Sequence, residues 1–150
     1  YSEADPRVKA LAYVVKHWAK CRRINNASEG TLSSYGYLLC LLHFLQTRDP
    51  PVVPNLQALP PDWSGQAMPP GLPSLFLPRF DVFQPTDGLH YNTYFFDPLV
   101  KGHSAAGIAG LLEFGRRNTD SVGTLLAGFF RYFAHELQSR THIVSTSELV

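Results

Sequence analysis

The sequence has few of the features that mark secreted, metal-stapled or membrane-spanning proteins. Its two cysteines, Cys21 and Cys40, are too few for a disulfide framework and have no zinc-ligand spacing. No apolar run reaches the roughly 18 residues that a membrane-spanning helix needs. We therefore interpret both cysteines as free thiols in a reducing compartment.

A strong charge imbalance is absent as well. The formal net charge is +1, and 17% of the 150 residues are charged. RNA binding through overall charge is therefore not expected, and any such binding needs a local basic patch. With 45% hydrophobic residues, the chain can bury the core of a single domain.

The sequence also contains none of the common signatures of phosphoryl transfer. It has no Asp-x-Asp pair, which a two-metal centre of that kind would use. The stretch "GTLSS", residues 30–34, is not followed by the Gly-Lys-Ser/Thr of a Walker A loop. The six histidines are scattered without metal-ligand spacing on one helix. We expect no catalytic residue and no metal ligand within this chain.

The first pattern that is present is an amphipathic helix over residues 6–23, opened by Asp5 as N-cap and Pro6 in the first turn. At about 100° per residue, one broad arc of this helix is apolar and the opposite side is basic. The apolar arc comprises Val8, Leu11, Val14, Val15, Trp18 and Ala19, and the basic ridge comprises Lys9, Lys16, Lys20 and Arg23.

Three further helices are predicted, so the fold class is mainly α. Residues 33–46 are apolar nearly all round, which indicates a buried helix. The other two cover 104–116 and the stretch from 122 to 137, the latter capped by Asp120 or Ser121.

Residues 49–88 hold most of the twelve prolines, which excludes a long helix or a central strand there. This segment is either an irregular cover over the helices or a protein-docking loop. Residues 91–97 are expected to be a short strand or an extended piece, and "THIVSTSELV" at the end alternates like a short strand.

The basic ridge precedes a predicted helix start at Ser33 or Ser34, where free N–H groups and the helix dipole favour a phosphate. If the two helices pack together, Lys16 and Lys20 can reach the same polyphosphate. Tyr35 follows with a ring that can stack on a base. The simpler alternatives are a solvated lysine face, serines that only cap the helix, and a core tyrosine.

Three stretches, "DPRVKALAYVVKHWAKCRRINN", "GTLSSYGYLLCLLHFLQ" and "PPVVPNLQ", resemble the central domain of the cytoplasmic terminal uridylyltransferases and related template-independent poly(A) polymerases. The later "RNTDSVGTLLAGFFRYFAHEL" resembles the poly(A)-polymerase-associated segment of that domain. The resemblance implies that Lys16 and Lys20 contact the triphosphate of UTP or ATP, that Ser34 bonds a phosphate, and that Tyr35 stacks on the base.

The same resemblance implies what lies outside the 150 residues. A catalytic domain holding Mg²⁺ is expected before residue 1 and a base-recognition motif after residue 150, while residues 58–90 look like an insertion. The chain would thus be an inactive fragment, residues 1–150, of a cytoplasmic enzyme that extends RNA 3′ ends. A non-catalytic interaction module derived from that family and a free-standing basic RNA binder are the alternatives.

Overall fold

The computed structural model describes residues 1–60, 63, 82–83, 91–92, 94–97 and 105–137, and it confirms a mainly α-helical fold. Four α-helices contain about half of the described residues. They are α1 (Pro6–Cys21), α2 (Ser34–Gln46), α3 (Ala105–Phe114) and α4 (Val122–Arg131). Short 3-10 turns cover Ala27–Glu29 and Gly115–Arg117, and a π-helical turn covers Tyr132–Glu136.

Helix α1 begins as the sequence predicts but ends earlier. The Asp5 carboxylate accepts a hydrogen bond from the backbone N–H of Arg7 at 2.9 Å, and Pro6 is the first helical residue. At the other end Arg23 has a φ of 56°, in the left-handed region, so it lies outside the helix. The predicted end at residue 23 is therefore wrong, and Arg23 does not extend the basic ridge.

The predicted apolar arc of α1 also needs one correction. Val8, Leu11, Val15 and Ala19 are buried, whereas Val14 is 41% exposed. Val14 lies about 100° from Val15 around the helix, which takes it beyond the side that faces the core.

Helices α1 and α2 lie side by side and antiparallel. Hydrogen bonds join a residue before the start of α1 to the end of α2, and a residue after α1 to the start of α2. The Gln46 amide at the end of α2 donates to the Tyr1 hydroxyl at 3.0 Å, and the Tyr37 hydroxyl donates to the Ile24 carbonyl at 2.9 Å. Only the second half of α2 is buried, so the prediction of a helix buried along its whole length is partly wrong.

Among the described residues, the buried apolar side chains form two clusters. The larger joins α1, α2 and α4 with the segment after α2, and the rings of Phe44 and Phe129 meet edge-on within it. The larger cluster contains Val8, Leu11, Val15, Leu41, Phe44, Leu45, Val52, Val53, Leu125 and Phe129. The smaller contains Ala4, Leu56, Leu59, Trp63, Phe96 and Leu111.

A polar network around Arg7 fastens the start of α1 to the connection between α3 and α4. Its guanidinium donates to both carboxylate oxygens of Asp5 and to the carbonyl oxygens of Gly115, Asn118 and Asp120. The side-chain oxygen of Asn118 accepts another of these bonds. Hydrogen bonding to Asp5 raises the pKa of Arg7 above its ordinary value, so this guanidinium stays charged.

Helix α4 is capped by Ser121, whose hydroxyl accepts from the Thr124 N–H at 3.1 Å, as the sequence predicts. The helix ends at Arg131 and continues as the π-helical turn to Glu136. Gly128 lies against the Phe44 ring, where a β-carbon would come within 3.1 Å of a ring carbon. This glycine therefore permits the close packing of α4 on α2.

The remaining sequence predictions are tested only in part. Val82–Phe83 and Tyr91–Asn92 form a two-stranded antiparallel pair, consistent with an extended segment from residue 91. Most of the predicted insertion and the predicted terminal strand lie outside the described residues.

Both cysteines are free thiols, as the sequence predicts, and burial raises the pKa of Cys40. Among the described helices, none is long and apolar enough to cross a membrane.

Candidate functional site

Lys16 and Lys20, the lysines of α1 that the sequence analysis selected, are exposed and have no carboxylate partner among the described residues. Lys16 and Lys20 lie about 40° apart around the helix and about 6 Å apart along it. Both are exposed to solvent. Within the described part of the chain, neither forms an ion pair with a carboxylate. Their two positive charges are therefore free to act on an anion.

Three contacts bring the end of α1 next to the start of α2. The Asn25 amide donates to the Ser34 hydroxyl oxygen at 3.1 Å. Tyr37, one turn into α2, bonds the Ile24 carbonyl and meets the Trp18 ring edge-on, with centroids 5.9 Å apart. The last turn of α1, the loop and the first turn of α2 consequently form one folded unit.

The ring contact between Trp18 and Tyr37 also indicates where the other side chains lie. Both Lys16 and Lys20 lie about 160° around α1 from Trp18, and Tyr35 lies about 160° around α2 from Tyr37. None of these three side chains therefore points toward the ring contact. Tyr35 is 68% exposed, which excludes the alternative that it is a core aromatic.

The two serines at the start of α2 have different roles. The Ser33 hydroxyl accepts from the Gly36 N–H at 3.0 Å, so Ser33 is the N-cap. The Ser34 oxygen accepts from Asn25, which leaves the Ser34 hydroxyl proton available as a donor. Because the first N–H groups of α2 have no intrahelical partner, this end of the helix adds positive potential.

Sequence reasoning missed Asn25, the residue that orients Ser34. Its side chain is half-buried and its contact depends on how the loop folds back, for which the sequence contains no local signal. Within residues 1–60, no hydrogen bond joins Lys16 or Lys20 to Ser34 directly. The arrangement offers two ammonium groups, one hydroxyl donor and one exposed ring to a ligand that carries phosphates and a flat base.

These side chains do not suit a divalent metal ion. Magnesium is held in proteins by carboxylate and carbonyl oxygens, whereas Lys16 and Lys20 contribute positive charge. Among the described residues there is no group of three histidine, cysteine, aspartate or glutamate side chains that could hold a metal. Lys16, Lys20 and Ser34 thus carry groups of the kind that pair with phosphate oxygens rather than groups that ligate a metal.

Known proteins align with the chain over most of its length. Human terminal uridylyltransferase 7 is 37% identical over 145 residues, which is 97% of this chain and 8% of that protein. The poly(A) RNA polymerase cid13 of Schizosaccharomyces pombe is 38% identical over 137 residues, which is 90% of this chain and 19% of that protein. No family model matches the chain.

A solved structure has the same fold. The Cid1 poly(U) polymerase bound to MgATP superposes with a TM-score of 0.63 at 31% identity. The match covers 97% of this chain and 36% of the Cid1 chain. The chain therefore spans well under half the length of these relatives.

Proposed function

Since the chain is homologous over nearly all of its length to one segment of the terminal uridylyltransferases and poly(A) RNA polymerases, we propose that it is the nucleotide-binding helical part of an RNA 3′-terminal nucleotidyltransferase. The observation that supports this proposal is the Asn25–Ser34 hydrogen bond, which joins the end of α1 to the start of α2, two helices on which Lys16, Lys20 and Tyr35 are exposed.

Each residue has a role that follows from its chemistry. Lys16 and Lys20 pair with oxygens of the triphosphate, whose negative charges extend over the distance between them. The Ser34 hydroxyl, oriented by Asn25, donates to a phosphate oxygen. The Tyr35 ring stacks on the base, an interaction that contributes about 1–3 kcal/mol. Together these groups hold the nucleotide while the RNA 3′-hydroxyl attacks its α-phosphorus and pyrophosphate leaves.

The chemical step itself is proposed to depend on residues outside this chain. A catalytic domain in the same polypeptide would hold Mg²⁺ through its carboxylates, and residues 1–150 would be the central helical domain beside it. Lys16, Lys20 and Tyr35 contact features that all nucleoside triphosphates share. We propose UTP as the substrate, and we place the enzyme in the cytoplasm, where Cys21 and Cys40 would stay reduced.

The test is UTP binding by the full-length protein, measured by isothermal titration. Hydrogen bonds to charged groups contribute about 1.5–3 kcal/mol, so Lys16→Ala and Lys20→Ala should each weaken UTP binding by about 10-fold or more. The matched control is Arg116→Ala, which removes an exposed cation from the 3-10 turn after α3. If neither lysine variant weakens binding, the proposed site is wrong.

Parallel titrations and an extension assay test the finer statements. Binding of ATP as tight as that of UTP would contradict the proposed substrate. Extension of an RNA 3′ end by the unaltered protein supports an enzyme. Nucleotide binding without any extension would indicate the alternative, a non-catalytic module derived from the same family.

A further inference from the structure

Helix α1 continues its basic face beyond the two lysines used above. At about 100° per residue, Lys9, Tyr13, Lys16 and Lys20 fall within an arc of about 60°. They follow one another over about 16 Å of the helix, with Tyr13 between Lys9 and Lys16. We call these four residues the basic–aromatic strip. Its first two residues have no role in the proposed nucleotide site.

The ring of Tyr13 is the unusual member of the strip. Tyr13 is 67% exposed, whereas Trp18 and Tyr37 are half-buried and meet edge-on. Within the described part of the chain, Tyr13 has no hydrogen bond, ring contact or nearby cation–π partner. The described fold therefore uses this ring little, and most of its surface is open to solvent.

The positive charge of the strip is likewise unopposed. Helix α1 contains no aspartate or glutamate, and no carboxylate of the described residues pairs with Lys9, Lys16 or Lys20. Since the whole chain has a net charge of only +1, this positive potential is a local property of the strip. It is the kind of patch that a nearly neutral protein needs to bind nucleic acid.

The composition of the strip distinguishes nucleic acid from a protein partner. Protein interfaces are centred on buried apolar side chains, but the arc of the strip contains only lysine and tyrosine. Alternating cations and an exposed aromatic ring are typical of surfaces that bind single-stranded nucleic acid, where bases stack and phosphates pair with lysine.

We propose that Lys9 and Tyr13 form a binding site for single-stranded RNA, with a base stacked on Tyr13 and a phosphate paired with Lys9. Lys9 and Tyr13 precede Lys16 and Lys20 on the same face of α1. The RNA would therefore lie along α1 next to the proposed nucleotide site. Identifying this RNA as the strand to be extended rests on the proposed function, whereas the binding of RNA does not.

The direct test is photocrosslinking of the full-length protein to a short uridine-rich oligoribonucleotide that carries 4-thiouridine, followed by peptide mapping. We expect crosslinks on the α1 peptide that contains Tyr13. Crosslinks confined to other parts of the protein would overturn the proposal.

Affinity measurements with the same oligoribonucleotide, by fluorescence anisotropy, test the two residues separately. Tyr13→Leu should weaken RNA binding about 5- to 150-fold. Tyr13→Phe keeps the ring and should bind RNA as tightly as the unaltered protein. Lys9→Ala should reduce the slope of log Kd against log salt concentration by about 0.7. Leu112→Ala on α3 and Arg116→Ala are the matched controls for an exposed apolar residue and an exposed cation.

The outcomes separate this site from the proposed nucleotide site. RNA affinity that is unchanged in Tyr13→Leu overturns the RNA site, even if Lys16→Ala abolishes UTP binding. UTP binding that is unchanged in both Lys16→Ala and Lys20→Ala overturns the nucleotide site, while a crosslink at Tyr13 still supports the RNA site. A lowered melting temperature of Tyr13→Leu would mean that another part of the protein covers the ring, which also overturns the proposal.

Discussion

The cations at the two ends of α1 are used in opposite ways. Arg7 donates to six carbonyl or side-chain oxygens around it, which belong to Asp5 and to residues 115–120. Lys16 and Lys20, two to four turns later on the same helix, have no carboxylate partner within the described part of the chain. Arg7 thus has its hydrogen bonds satisfied within the fold, whereas the ammonium groups of Lys16 and Lys20 remain available to a ligand.

This contrast distinguishes a positive charge that stabilises the fold, at Arg7, from positive charges that the described fold leaves unpaired, at Lys16 and Lys20. Removing Arg7 leaves the Asp5 carboxylate, whose side chain is 7% exposed, without its counter-charge. Removing Lys16 leaves no other group of the described chain unpaired. The first residue should therefore affect stability and the second should affect binding.

The largest effect is expected from Arg7→Ala. Breaking a mostly buried ion pair from one side should lower the free energy of unfolding by about 3 kcal/mol. Urea denaturation followed by circular dichroism measures this change. Arg7→Lys should recover little of the loss, because a lysine cannot reproduce the planar fork of hydrogen bonds.

The control for Arg7 is Arg116→Ala, which removes the Arg116–Glu113 pair. Both side chains of that pair are more than half exposed, and such surface pairs contribute about 0–1 kcal/mol. Equal losses from Arg7→Ala and Arg116→Ala would contradict the structural role of Arg7.

A second, smaller effect tests the same network from its other side. A β-carbon on Gly115 would collide with the Asp5 carboxylate and come within 2.8 Å of the Val52 carbonyl oxygen. Gly115→Ala should therefore lower the free energy of unfolding by about 2 kcal/mol, as overpacking does elsewhere. Unchanged stability in the same urea assay would show that the network can move apart without loss.

The smallest effect on stability is expected from the double variant Lys16→Ala and Lys20→Ala. Because both side chains are exposed and unpaired, the free energy of unfolding should stay within about 0.5 kcal/mol of the unaltered protein. Thermal and urea unfolding of the variant measure this. A loss as large as that of Arg7→Ala would erase the contrast between the two ends of α1.

Local signals in the sequence were sufficient for the helix starts. Asp5, Ser33 and Ser121 each cap a helix through a bond to a residue two or three positions later, so the pattern of neighbouring residues predicts them. The family resemblance is also confirmed, because it depends on the order of residues within continuous stretches.

Contacts between distant residues were beyond local patterns. Arg7 donates hydrogen bonds to Asn118, which lies 111 residues later, and no local sequence pattern near either residue predicts this contact. The left-handed conformation of Arg23 ends α1 early although the charge pattern continues through it. The sequence predicts that Lys16 and Lys20 share a face, but the contacts that join the end of α1 to the start of α2 depend on how the loop folds.

The loop between α1 and α2 is closed upon itself before any ligand arrives. Asn25 holds Ser34, Tyr37 holds Ile24, and the Asn26 backbone N–H donates to the Thr31 hydroxyl at 2.8 Å. The entropy of ordering this segment is therefore lost during folding, and in the proposed site little of it would remain to oppose nucleotide binding. We expect the lifetime of the bound state, more than its speed of formation, to distinguish one nucleotide from another.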